Sequence, residues 1–339
     1  MLAELVESVA AARVTPAGKP LAALLVADYL RKGGPLDDPA SFRPVVDALR
    51  LALACPMPDC ATPLFWTATL LCVLQDLGRS VAAVPAPATL APGDPATATT
   101  VADALLRLLV TAYSRALDNA YRRLEPAAIE CFITATASPT ADSSSSNAQS
   151  SSSSSPTPST ASQEVQSSSS HAVIAVLAEV AEAARRVRLP PSVRRQLVAQ
   201  LVYDIDATVF NALVRDETLC TCARVFRIRM AMSVLERWLL RDPELAPAKR
   251  QLRYTREAAN LFAMDKSVLA DDGAIAAAFA ALNIAQLARL LQYYHPDDLN
   301  RLSVDAALLR DIKLKALEAD NAPLEVDGHA WCPSFSSSK

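Results

Sequence analysis

Two short cysteine spacings are the first places where this sequence could hold chemistry: Cys55-Pro-Met-Pro-Asp-Cys60 and Cys220-Thr-Cys222. Zinc asks for four convergent ligands, usually as two closely spaced pairs, and here the first spacing is loose and the second too tight. The three histidines, His171, His295 and His329, lie far apart, and none stands one helical turn from another. A scattered surface role fits them better than a metal or general-base centre. No cysteine has a histidine nearby in sequence to activate it as a nucleophile. A glycine-rich phosphate loop with its lysine is absent, so nucleotide binding of that kind is not expected. The reading is a protein with no catalytic centre, cofactor or metal, and a helical enzyme of unknown reaction is the alternative from another class.

Two carboxylates stand out because they interrupt an apolar stretch. Asp206 falls between Val202 and Val209 on the apolar stripe itself, while Asp204 lies on the opposite side, as a solvated or interhelical polar group. A lone buried carboxylate must take up a proton or find a partner. An ion pair with an arginine of the facing segment is expected, Arg229 first and Arg227 or Arg224 next. The planar guanidinium fork can hold both carboxylate oxygens at once.

The elements that position these residues follow from spacing. Between Val193 and Leu240 run two long apolar stretches with a polar break at Arg215 to Thr218. Val198, Val202, Ile205, Val209 and Leu213 recur at helical spacing in the first; Val225, Ile228, Met232, Leu235 and Leu239 do so in the second. Phe226, Met230 and Trp238 put large apolar groups on the other sides of the second stretch, and a helix apolar nearly all round is a buried one. The pair is therefore read as the packing centre of a large helical domain, with Trp238 largely buried.

The same residues carry a resemblance. The second stretch, from Cys220 through Ile228-Arg229 to Leu235-Glu236-Arg237-Trp238-Leu239, resembles the signature of the DIL (dilute) domain, the cargo-binding globular tail of class V myosins. It extends back through Asn211 to Tyr203 and Ile205. Asn211, Ile228, Arg229, Leu235 and Trp238 are the signature positions. Further likenesses are Phe65-Trp66 with Leu70 and Leu74, Tyr113 with Leu124-Glu125-Pro126, and Leu282 to Leu287 with Leu290 to Tyr294. The resemblance implies an all-α fold, an elongated multi-helix bundle of two subdomains, and a non-catalytic role in actin-based vesicle or organelle transport. The implied partners are protein adaptors or small GTPases, with a myosin motor or an actin-associated complex beside them. An afadin-like junction or signalling scaffold is the alternative among binding proteins.

Composition agrees with a helical protein. The chain has 339 residues, half of them hydrophobic, a formal net charge of −3 and only seven glycines, which leaves no basic footprint for nucleic acid. Glu4 and Glu7 stand where a secretory leader needs positive charge, and no apolar run of membrane-spanning length is free of charges. A cytoplasmic location, cytoskeleton- or vesicle-associated, is expected. The seven cysteines then read as small buried hydrophobes in a reducing compartment.

The expected organisation is a helical subdomain over 1–137, a serine-rich disordered loop over 138–170, a subdomain carrying the signature over 171–327, and a short tail over 328–339. In the first, Leu21, Leu24, Leu25 and Tyr29 form one helical face, and Phe42 to Leu53 another. A helix runs from Leu64 to Gly78, a linker covers 79–97, and Pro126 should kink or split a long helix over 101–133. In the serine-rich loop Ser138, Ser155 and Thr157 each precede a proline, as candidate phosphorylation sites, with a passive spacer as the alternative. A helix from Val173 stops at Pro190-Pro191. Later helices are expected at Arg253 to Phe262, Ala274 to Leu282, Ile284 to Tyr293 and Val304 to Leu317.

Overall fold

The computed structural model describes residues 46–47, 49–50, 53–54, 59–83, 95–135, 160–319 and 323–328. The expected helix at Leu21 to Tyr29, the residues Cys55 and His329, and the candidate phosphorylation sites Ser138, Ser155 and Thr157 lie outside these. Among the described residues the chain is all-α and no strand forms; an isolated bridge joins Thr221 to His295.

Nine α-helices are described: α1 (Ala61–Ala83), α2 (Pro95–Ala128), α3 (Thr160–Arg186), α4 (Pro191–Arg215), α5 (Cys222–Leu240), α6 (Tyr254–Ala263), α7 (Asp272–Ala278), α8 (Ile284–Tyr293) and α9 (Ala306–Glu318). They pack as two compact units: residues 1–122 with 177–197, and residues 123–176 with 198–339. This division differs from the expected boundaries at 137 and 171, because packing assigns α2, α3 and α4 residue by residue and each contributes to both units.

Several ends also differ. α1 passes through Gly78, where a stop was expected; a glycine inside a helix costs about 1 kcal/mol relative to alanine, which weakens a helix without ending it. α2 runs through Pro126 and then widens into a π-helical stretch, Ile129–Thr134, whose Cys131 and Phe132 are buried. α3 begins at Thr160, inside the range expected to be disordered. Once its packed part, Val173, Leu177 and Val180, is nucleated, each preceding residue adds one hydrogen bond per residue ordered. The helix closes on a left-handed residue, Arg188 at φ 54°, with Leu189 N–H donating to Ala184 O at 3.0 Å.

In the first unit Leu64, Phe65, Trp66 and Leu70 of α1 and Leu105, Leu109 and Tyr113 of α2 are buried, and Phe65 and Trp66 meet edge-on at 5.8 Å. The second unit is centred on α4 and α5. Leu201, Val202, Ile205, Val209 and Leu213 are buried from α4, and Val225, Ile228, Met232, Leu235 and Leu239 from α5. α5 packs on α6, and α8 on α9. By length and hydropathy α4 could cross a bilayer, but most of its apolar window is packed inside the fold and it carries Asp204 and Asp206.

α8 spans Ile284–Tyr293 and opens with a reciprocal cap: Gln286 N–H donates to Asn283 Oδ1 at 2.8 Å and Asn283 N–H to Gln286 Oε1 at 3.0 Å. α7 ends at Ala278, short of the expected Leu282. Glu257 of α6 accepts from Ala281 N–H at 2.9 Å and Leu282 N–H at 3.0 Å, and so holds that backbone in a non-helical path.

Candidate binding domain

Asp206 is completely buried on α4, and its partner is not the expected arginine. Its Oδ2 accepts from Tyr254 N–H at 2.8 Å and its Oδ1 from Thr255 N–H at 3.1 Å. These are the first two amides of α6, which have no partner inside their own helix. The carboxylate therefore caps α6 from another helix, with the positive end of the helix dipole behind the two donors. Tyr254 locks the register, its ring lying 5.6 Å from Phe210 and 6.2 Å from Tyr203. Burial pushes the Asp206 carboxyl up to about 6, opposed by the bonds from Thr255 and Tyr254 and by the Arg256 guanidinium. One signal of this arrangement was legible: Arg253, at the cap position of α6, provides no side-chain cap, so the cap had to come from elsewhere.

Arg229 is engaged on α5 itself. It pairs with Glu236 at 3.3 Å, and Glu236 also holds Arg256 of α6 at 3.1 Å. At 100° per residue Arg229 lies on the flank of α5, beside Glu236 two turns on and away from the inward line of Ile228, Met232 and Leu235. Arg224, another candidate, donates to Thr218 Oγ1 at 3.4 Å instead.

The other polar side of α4 is covered too. Asp204 is buried rather than solvated. Residues 323–328 form a strap that runs along α4 in the opposite direction. Arg215 meets Glu325 at 2.7 Å, Asn211 both donates to Val326 O at 2.9 Å and accepts from Val326 N–H at 2.8 Å, and Gln200 donates to Gly328 O at 3.0 Å. Asn283 and Gln286 at the head of α8 donate to Pro323 O and Leu324 O. A Cβ at position 328 would sit 3.2 Å from Asp204 Oδ1, so the glycine permits this close approach. Asn211 thus satisfies both backbone groups of one strap residue, a role its helical position alone did not reveal.

On α5 Ile228 and Leu235 are buried, and Trp238, expected to be largely buried, keeps part of its surface exposed. It sits at the edge of the inward stripe. Phe226 and Met230 are 55% and 50% exposed, so the helix is apolar all round without being buried all round.

Residues 196–298, which contain the Asp206 cap, Asn211 and all of α5, match the family model of the DIL domain. Over these residues the chain is similar to the DIL domain. Chicken (Gallus gallus) unconventional myosin-Va is 31% identical over 137 residues, 40% of this chain and 7% of that protein. Human (Homo sapiens) unconventional myosin-Vc is 30% identical over 142 residues, 41% and 8%. The chain therefore spans less than a tenth of the length of these relatives. The fold is that of a yeast myosin 5 cargo-binding domain, at TM-score 0.66 and 16% identity, covering 92% of this chain and 75% of that one.

Within residues 196–298 the thiols are structural. Cys220 is buried with its Sγ 3.2 Å from Leu213 O, and burial first, then Asp216 and Glu217, push it up to about 12. Burial also raises the Cys222 thiol. His295 lends its backbone, its N–H donating to Cys220 O at 2.9 Å, while its side chain is exposed. Lys266 is buried with Nζ donating to Phe262 O and Met264 O, both at 2.8 Å, which closes the C-terminal end of α6. Among the described residues no three His, Cys, Asp or Glu side chains gather to hold a metal.

Proposed function

We propose that this chain is a non-catalytic docking module that binds adaptor proteins of vesicles or organelles in actin-based transport, with small GTPases as a second class of ligand and the cytoplasm as its location. The observation that carries this reading is the match of 196–298 to the DIL domain within the fold of a cargo-binding tail. Two polar groups of α4 support it as well: Asp206 and Asn211 are both spent on holding backbone. The fold then supplies surfaces rather than a reactive centre, and α5 presents Phe226 and Met230 on one of them.

The test is affinity capture with the 339-residue chain, followed by calorimetry with each purified partner. Saturable one-to-one binding of a vesicle adaptor is expected, with no ATP hydrolysis and no co-sedimentation with actin filaments by the chain alone. Binding confined to cell-junction proteins would replace transport with a scaffold role, and turnover of ATP would overturn the non-catalytic reading.

A further inference from the structure

The groove that holds residues 323–328 is built to grip main chain. Asn283 donates to Pro323 O at 2.9 Å and Gln286 to Leu324 O at 3.2 Å. Asn211 bonds both the N–H and the C=O of Val326, the Tyr203 hydroxyl donates to Asp327 O at 3.4 Å, and Gln200 donates to Gly328 O at 3.0 Å. A helix spends its own backbone groups on internal bonds, so α4 has no ladder to offer an extended segment, and side-chain amides supply one in its place. Asn211 reproduces a single rung, giving and taking a bond with the same residue.

The side chains of the strap alternate as in an extended peptide. Val326 is buried and Leu324 half-buried, while Glu325 and Asp327 between and beside them are exposed. Arg215 reads the Glu325 carboxylate in an exposed ion pair, which contributes little and breaks at little cost. The close approach to Asp204 asks for glycine at the last position. The groove therefore selects an extended backbone, a carboxylate beside Arg215, one small aliphatic group and a glycine. Main-chain bonds give such a site its affinity and alternate side chains its specificity.

We infer that this groove is a peptide site, which a partner protein enters with an extended acidic segment of the pattern Leu-Glu-Val-x-Gly in exchange for the strap. Each main-chain bond that the strap gives up is remade with the incoming segment, which keeps the exchange near balance. The strap is a tethered competitor and lowers the partner's apparent affinity by the fraction of chains whose groove is open. The inference rests on the docking reading for the source of the segment.

Calorimetry on the full chain would compare acetyl-Pro-Leu-Glu-Val-Asp-Gly-amide with a copy carrying Lys in place of Glu and with a scrambled copy. Glu325→Lys and Val326→Asp change only the strap and leave every groove side chain in place. Glu325→Lys should tighten one-to-one binding of the peptide by about threefold, the scale of an exposed ion pair. Val326→Asp, which buries a carboxylate, should tighten it by about tenfold or more. The Lys copy should bind about threefold more weakly than the parent peptide, and Asn211→Ala added to either strap variant should abolish binding. Unchanged far-ultraviolet circular dichroism would confirm folding, and Glu325→Lys, at an exposed position, carries the test alone if Val326→Asp unfolds. No binding of millimolar peptide to a folded strap variant, equal binding of the scrambled copy, or indifference to Asn211→Ala would each overturn the proposal. Dimerisation of the parent chain in light scattering that Val326→Asp removes would assign the groove to a second copy and overturn it too. Adaptor binding that neither strap variant strengthens would overturn the inference and leave the docking reading intact. Peptide binding with no adaptor captured would do the reverse.

Discussion

Asp206 offers a test in which two physical effects predict opposite signs. Its carboxyl is buried, which favours the neutral form, yet it accepts two helix N-terminal amides, which favour the charged one. Burial wins, and the native value is raised from 3.8 to about 6. A carboxyl whose value is raised on folding costs stability once it ionises in the folded state. Its contribution is therefore best below the unfolded value and falls as pH rises through about 6. A shift of about two units corresponds to about 3 kcal/mol. Asp206→Asn offers one acceptor oxygen to the two α6 amides, as the protonated carboxyl does, so parent and variant should be of similar stability where Asp206 is neutral. The stability gap, parent minus variant, should then fall by about 3 kcal/mol between pH 4 and pH 7. Urea unfolding followed by circular dichroism across that range measures the gap, and hydrogen exchange at the Tyr254 and Thr255 amides shows that the loss is local. A gap that widens as pH rises would mean that the helix amides and dipole outweigh desolvation, and would refute the reasoning. A double-mutant cycle between Asp206→Asn and Arg229→Met should show coupling within about 0.5 kcal/mol of zero, since the two residues share no bond.

Asn211→Ala removes both bonds to Val326 and should cost about 1–3 kcal/mol, with faster hydrogen exchange at the Val326 amide; unchanged exchange would mean the strap is held by its other contacts. Trp238→Ala should cost about 2–4 kcal/mol in thermal or urea unfolding, because a partly exposed indole keeps most of the 3–5 kcal/mol typical of a fully buried aromatic. A larger loss would place the indole in the core. Arg188→Gly should stabilise the chain by about 0.5–1 kcal/mol, the relief of a left-handed backbone less the added freedom of the unfolded chain; a lower melting temperature would show that the arginine side chain matters there. The buried Cys220 thiol should resist alkylation in the native protein at neutral pH and react once the chain is unfolded, as read by mass spectrometry.

The amino-acid sequence by itself determined the helical class and the central α4–α5 pair, because both rest on local spacing: apolar residues every three or four positions and a polar break between them. It likewise carried the DIL likeness and the limits of α8, since the Asn283–Gln286 cap is complete within four consecutive residues. What only the tertiary structure decided is where polar side chains find partners across long separations. Asp206 and the α6 amides are nearly fifty residues apart in the chain, and Asn211 and Val326 more than a hundred. Helical periodicity tells which way a side chain points and not what arrives there from another element. It placed Asp206 inward and could not choose between a guanidinium and a helix end. For Trp238 and Phe226 the missing fact was how much of the surface of α5 its neighbours cover. That depends on where α6 and the π-helical stretch at 129–134 come to rest. The pocket lined by Arg50 and Arg107 is the extreme case, since the two belong to separate segments and only packing brings them to its opposite sides.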